Sequence, residues 1–391
     1  MWVRKKLDIS WADLLSGTTA CLMPEPAKLR DPQMLYCQSA RTAFDLLLQT
    51  LSFPPGTEIL ISAITIPDIV AIMRCHGLVP VPVDLEPTHL TPSIESLERG
   101  LRPATRMLVV AHLFGSHFDV APFVAFAKQH DLILIEDRAQ AFEGTEGCQA
   151  GEADLAFYSF GPIKTCTAMG GGLAVARDAG LLRGMQQVQN SYPPPSRFRY
   201  FKRIVKYGLM KAISARFPYA LLNRICRCCR IDHDHLINRS ARTFGERDLV
   251  NAIRRQPPAP LLRLLKRRLH RFDDRRLAQR AAKGRHLLQV LGESVFVPGS
   301  ASVRHTHWLF PVVAREPEKL MGALREVGFD ATQGESLCLV EAPEDRPWLS
   351  PDTSRQLLET MVFVPVYPEM PDGELSRMAA EIRRVQTDRR P

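Results

Sequence analysis

The sequence predicts an α/β fold: a mostly parallel central sheet with helices on both faces, joined to a smaller C-terminal α+β domain. Three observations carry that expectation. From about residue 35 to 190, short runs rich in Val, Ile and Leu alternate with segments of helical period, the rhythm of βα units around a parallel sheet. From about residue 246 the order becomes helix, strand, helix, strand, helix, the pattern of a small domain packed on the first. A chain of 391 residues that is 45% hydrophobic can also bury a large core, enough for two domains.

Taken in order, residues 1–34 are an N-terminal segment and residues 35–192 the large domain. Its strands are expected at EILISA (58–63), VPVPVDL (79–85), RMLVVAHLF (106–114), LILIEDRA (132–139), LAFYSF (155–160) and GGLAVA (171–176). The helical segments between them include SARTAFDLLLQTL (39–51) and VAPFVAFAKQH (120–130). Residues 193–245 open on PPP and break the rhythm, so they read as a basic amphipathic helical insertion. In 246–391 one long charged helix (261–291) precedes the strand HWLFPVVA, the helix EKLMGALREVGFD, the strand FVPVYPEM and a last helix DGELSRMAAEIRRV. No internal repeat is present.

The net charge of +9 is local. Ten lysines and arginines fall between Arg197 and Arg230 with no acidic residue among them, and 9 minus 10 leaves the rest of the chain near −1. Asp8 and Asp13 interrupt the start MWVRKKLDISWADLL, so no secretory signal is expected there, and no apolar run reaches the roughly 18 residues of a spanning helix. A cytoplasmic protein with reduced thiols is the expectation, since nine cysteines fit no disulfide framework in a chain this long.

In a parallel α/β sheet ligands collect beyond the carboxyl ends of the strands. LILIED ends there in Glu136 and Asp137, with Gln140 three residues on. Alone, a strand-end carboxylate is as well read as a helix cap. Lys164 changes the reading, because SFGPIKTCTAMGGG places it after an aromatic strand and before Gly170, Gly171 and Gly172, where backbone can approach a ligand closely. A lysine among apolar neighbours can be tuned to form a Schiff base. Pyridoxal phosphate chemistry needs such a lysine to hold the aldehyde and an acid to keep the pyridine nitrogen protonated. It also needs a phosphate cradle, and SARTAF (39–44) opens a helix whose N–H groups suit one.

IEDRAQAFEG, with SFGPIK placing its lysine 27 residues after the Asp, and then GGGLAVAR, resembles the DegT/DnrJ/EryC1/StrS family of fold-type-I sugar aminotransferases. SARTAF, HGLVPVPVDL, VVAHLFGS and VPVYPEMPDGEL match in the family's order from about residue 35 to the end, with 193–245 poorly matched. The resemblance implies that Lys164 forms the Schiff base, that Asp137 pairs with the pyridinium nitrogen, and that Gln140 lies near the ring hydroxyl. Ser159 and the backbone of Ala40 and Arg41 would hold the phosphate. Asn190 would reach the phosphate of a neighbouring subunit in a homodimer. Ile66 stands where the family stacks an aromatic residue on the ring, and Cys166 where many members have asparagine. The implied reaction moves an amino group from L-glutamate to a keto-sugar carried on a nucleotide or a related lipid-linked acceptor. A dehydratase on the same fold is disfavoured because related sugar dehydratases replace the lysine with histidine. A non-catalytic regulatory or scaffold protein is disfavoured because every cofactor position except the stacking aromatic is filled.

Other candidates are weaker. Cys226, Cys228 and Cys229 with His233 and His235 match no zinc spacing, so no metal is expected. His112, inside a strand, reads as a core histidine rather than a catalyst. Along the insertion, Phe201, Ile204, Val205, Leu209 and Ile213 recur at helical spacing, with Arg199, Lys202, Arg203 and Lys206 toward the other side. Residues 197–230 therefore suit either an anionic membrane surface or a lid over the site. Nucleic acid is not expected, because the apolar stripe would be left exposed on it.

Overall fold

The computed structural model describes residues 1–23, 33–145, 147–149, 151–215, 218–219, 249–334 and 336–387. A seven-stranded sheet forms the large lobe: β1 (Met34–Cys37), β2 (Glu58–Ser62), β3 (Val79–Val83), β4 (Thr105–Ala111), β5 (Ile133–Asp137), β6 (Leu155–Ser159) and β7 (Gly172–Ala176), in the spatial order β1-β7-β6-β5-β4-β2-β3. The run from β6 to β3 is parallel, and β7 and β1 add antiparallel strands at the other end. Pro80 and Pro82 mark β3 as an edge strand, because a residue without N–H can be tolerated only where no further strand has to pair.

Both faces of the sheet are covered. Ile59 and Ile61 of β2 point to one side, with Met107 and Val109 of β4, against Phe44 and Leu47 of α2 (Ala40–Leu51) and Ile72 of α3 (Pro67–Cys75). Leu60, Leu108 and Val110 point the other way, against Leu97 of α4 (Ile94–Gly100) and Phe123 and Phe126 of α5 (Ala121–Gln129). That alternation along one strand is the period of two, and burial on both sides explains the near-continuous apolar runs.

After α6 (Ala179–Ser191), the helix α7 (Arg197–Ile213) occupies the described part of the insertion. The long helix expected over 261–291 is two: α8 (Ala259–His270) and α9 (Asp274–Leu291), broken at Arg271–Asp273, where Asp273 caps the second by accepting from Arg275 N–H. The small lobe pairs β8 (Phe310–Val313) with β9 (Met361–Val364), antiparallel, under α9, α10 (Pro317–Glu326) and α11 (Asp372–Thr387). The first residues of the chain join it. Trp2 and Val3 are buried in this second core, and Arg4 forms an ion pair with Asp330. Residues 220–248, which carry Cys226, Cys228, Cys229, His233 and His235, lie outside the described residues.

Candidate active site

Lys164 sits in the loop after β6, at the end of the sheet where the parallel strands finish. Its amine is partly open to a cavity yet crowded by protein. Burial lowers its pKa to about 8, against the raising charge of Asp137 and with Arg41 lowering it further. The indole of Trp308 lies under it, 4.0 Å from Nζ to the ring centroid, and Trp308 Nε1 donates to the Ile163 carbonyl at 3.0 Å, which fixes the ring.

Asp137 ends β5 beside β6. Burial raises its pKa, opposed by a hydrogen bond from Ala139 N–H at 2.9 Å and by the charges of Lys164 and His112. Among the described residues it has no ion pair. A strand-end carboxylate crowded by protein and lacking a cation within bonding distance is a seat for a ligand's positive charge. Gln140 is held by its Oε1, which accepts from Phe114 N–H at 3.0 Å.

The residues expected to hold a phosphate lie where β7 meets the start of α2. Ser39 caps α2, its hydroxyl accepting from Thr42 N–H at 3.1 Å, and the first-turn N–H groups of Ala40 and Arg41 stand at the helix's positive end. Gly172 pairs with Ser159 across the sheet and abuts that helix start: a Cβ on Gly172 would lie 2.3 Å from the Ser39 carbonyl carbon and 2.4 Å from Ala40 N. Ser159 thus stands one strand away from the cap. The obstruction is backbone, which cannot swing aside, so Gly172→Ala should cost about 2 kcal/mol or more of stability, read as a shifted urea midpoint. An unchanged midpoint would mean the cap is not seated there.

The Arg41 side chain pairs with Asp68 of α3 at 2.6 Å, and Ile66 caps that helix, half-buried against the first core cluster. Asn190 is exposed near the end of α6, its Oδ1 accepting from Gln186 and its carbonyl from Gln256. Its described hydrogen bonds do not reach Lys164 or Ser39. Cys166 is fully buried with its thiol pushed far up by desolvation, and its N–H donates to Asp8 Oδ2 at 2.6 Å. It turns into the core rather than toward Lys164. His112 bonds through Nε2 to Glu136 at 2.8 Å, both buried, and its ring stacks on Phe118. It is a paired core histidine in this structure.

Three residues that the sequence reading did not single out complete the surroundings. Lys5 donates to the Trp308 carbonyl, and burial, with Arg280 close by, lowers its pKa well below the usual lysine range. Arg280 of α9 is buried; its Nε donates to the Thr306 carbonyl at 2.8 Å and its Nη1 to Thr165 Oγ1 at 3.2 Å, while Nη2 has no hydrogen-bond partner among the described residues. Lys5 and Arg280, together with Lys6, Arg268, Arg271 and Arg276, line a cavity of about 90 Å³ that opens beside Lys164, with Asp8, Asp273 and Glu369 as its carboxylates. Among the described residues no cluster of His, Cys, Asp and Glu is arranged to hold a metal.

The residues present fit pyridoxal phosphate: an amine of lowered pKa, a strand-end carboxylate without a cation, and a helix N-terminus one strand from Ser159. Comparisons with known proteins bear on the fold and the family. At the level of the fold, the chain superposes on an aminotransferase from Psychrobacter cryohalolentis with a TM-score of 0.69 over 96% of both chains, at 18% identity. In sequence it is 31% identical over 193 residues to the GDP-perosamine synthase of Caulobacter vibrioides, 48% of this chain and 52% of that protein. It is 29% identical over 192 residues to a pleiotropic regulatory protein of Geobacillus stearothermophilus, 47% of this chain and 51% of that one. The chain spans about half the length of the curated relatives it matches. The model of the DegT/DnrJ/EryC1/StrS aminotransferase family matches residues 27–226, more than half of the 391, and the chain belongs to that family.

Proposed function

We propose that this chain is a pyridoxal phosphate-dependent aminotransferase that moves an amino group from an amino acid, L-glutamate in our reading, to the keto group of a nucleotide-linked sugar. The observation that carries the proposal is the placement of Lys164, crowded by protein in the loop after β6, within electrostatic reach of Asp137 at the end of the neighbouring β5, with burial lowering the amine's pKa to about 8. Bound pyridoxal phosphate supplies the electron sink that makes a proton next to the amine removable. Asp137 would hold the pyridine nitrogen's proton, Ser159 and the N–H groups of Ala40 and Arg41 the phosphate, and Gln140 the ring hydroxyl side.

Lys164 Nζ is the base. At pH 7.5 a pKa of about 8 leaves about a quarter of the amine neutral, against about one part in a thousand for an ordinary lysine. It takes the proton from the donor's α-carbon and returns one at the acceptor's carbon. Arg280, which lines the same cavity as Lys164, would offer its cation to a carboxylate or diphosphate oxygen of either substrate. Ile66 offers an aliphatic face where an aromatic ring would stack. We place the enzyme in the cytoplasm as a homodimer in which Asn190 serves the neighbouring site. Among the described residues no helix is long and apolar enough to cross a membrane.

The test is 2-oxoglutarate release from L-glutamate by cofactor-loaded protein, with and without nucleotide-linked keto-sugars. Release that depends on the keto-sugar supports the proposal. Covalent cofactor binding without release for any of them would favour the regulatory reading instead, for which the similarity to a pleiotropic regulatory protein is the supporting observation.

A further inference from the structure

The loop that carries Lys164 is held from outside its own sheet. The Ile163 carbonyl accepts from Trp308 Nε1 at 3.0 Å, Thr165 Oγ1 from Arg280 Nη1 at 3.2 Å, and Cys166 N–H donates to Asp8 Oδ2 at 2.6 Å. Trp308 stands just before β8, Arg280 on α9, and Asp8 just ahead of a first helix, α1 (Trp11–Ala20). The lysine's own N–H closes a turn on the Gly161 carbonyl at 3.0 Å, and its amine stands over the Trp308 indole.

That indole is fixed through backbone and side chain alike. Thr306 N–H donates to the Gly115 carbonyl at 2.8 Å and Leu309 N–H to the Phe114 carbonyl at 3.1 Å, which registers the entry to β8 against the loop after β4. Lys5 holds the Trp308 carbonyl, and the ring is tied to Ile163. His307, directly before it, and Cys166, two residues after the lysine, take left-handed φ values of 46° and 57°, which such side chains adopt where surrounding contacts impose them. At 4% exposure Trp308 has no room to swing off the amine.

We propose that the Trp308 indole is the seat of the Lys164 ammonium: a positioning residue that steadies the charge the lysine carries between taking a proton from one substrate carbon and returning one to another. The electron-rich face of an indole attracts an ammonium and offers nothing comparable to the neutral amine. It therefore favours the protonated form that arises during the reaction, where burial makes charge costly. A carboxylate in contact would raise the amine's pKa by about one to three units and leave a poor base, whereas a π face shifts it by about one. Charged side chains reach the amine from three further elements. Asp137 at the end of β5 raises its pKa, Arg41 of α2 lowers it, and Lys5, 4.9 Å from the same indole centroid and itself repelled by Arg280, repels it when both are protonated. The inference rests on the reading of Lys164 as the Schiff-base lysine.

The experiment compares wild type, Trp308→Leu and Trp308→Phe in the pH dependence of covalent pyridoxal phosphate capture, trapped with borohydride. Without the π face the cation is less favoured, so the pH at which capture levels off should fall by about one unit in Trp308→Leu. Trp308→Phe, which keeps a face but loses the bond to Ile163, should shift by less than half of that. Capture at about pH 6.5 should be faster in Trp308→Leu while turnover is about tenfold slower. Loosened packing alone would admit water and move the levelling pH upward, the opposite way. A cofactor-free readout uses 5-fluorotryptophan in place of the chain's four tryptophans. The fluorine signal lost in Trp308→Phe should shift with pH as Lys164 titrates and stay still in Lys164→Met. An unmoved or raised levelling pH in Trp308→Leu, equal shifts in the two variants, or a Trp308 signal that titrates unchanged in Lys164→Met overturns the inference. If Trp308→Leu does not fold, the fluorine titration decides. Wild-type protein that captures no cofactor at any pH would overturn the reading of Lys164 itself, and the fluorine titration would still decide whether the indole seats its ammonium.

Discussion

Lys164→Ala protein should fold as the wild type does, bind pyridoxal phosphate only reversibly, and retain no covalent adduct after borohydride. Turnover should fall by about 10,000-fold or more, because both the Schiff-base nitrogen and the proton-moving base are the same atom. The fold tolerates the change because a lysine whose pKa is pulled down by burial is not stabilised as a cation there; removing it relieves a desolvation cost. The wild-type amine carries its own signature. Only the neutral form attacks an aldehyde, so the rate of covalent capture should rise about tenfold per pH unit up to about pH 8 and then level, whereas an ordinary lysine would carry the rise to about 10.4. A Lys164→Ala variant that still turns over, or a capture rate still rising at pH 10, removes Lys164 from the role.

The sheet was legible because its strands are covered on both faces: ILI within β2 and LAF at the start of β6 read as unbroken apolar runs, and burial on two sides leaves no polar alternation there. Lys164, Asp137 and Ser159 were legible because each stands at a strand end or one loop beyond it, where chain order and space coincide. The break at Arg271–Asp273 was not, since the charged pattern continues in register across it and only the Asp273 cap marks the new start. Trp308, Lys5 and Arg280 were hidden for a different reason. They come from three distant parts of the chain, and only packing of the small lobe brings the N-terminal residues and α9 against the lysine loop. The one local hint was an aromatic residue within HTHW, at the entry to β8.

The helical period of α7 was readable, and its orientation was not. Sequence places Ile204 and Val205 on one stripe, yet the structure buries the first and exposes the second. The tyrosines decide it: Tyr200 can be buried because its hydroxyl finds a backbone carbonyl, which an apolar residue would leave unpaired.

Asp137→Asn separates function from stability. The carboxylate is destabilised as an anion in its site, so its pKa is raised, mainly by burial. For an acid with a raised folded-state pKa, the sign of the linkage is that the charge costs stability at every pH above its unfolded pKa, the full cost being reached above the folded one. The neutral amide should therefore leave the cofactor-free protein at least as stable as wild type at pH 7. Turnover should nevertheless fall about a hundredfold to a thousandfold, the size of effect expected when one preorganised charge is taken from a developing transition state. A second readout follows from the pair. Asp137 is the charge that raises the Lys164 pKa against burial. Without it that pKa drops, so the pH at which covalent capture levels off should move below 8. Full turnover in Asp137→Asn would place the acid elsewhere. A large fall in melting temperature would show that the carboxylate is a structural group, and an unmoved capture profile would show that Asp137 and Lys164 do not share a site.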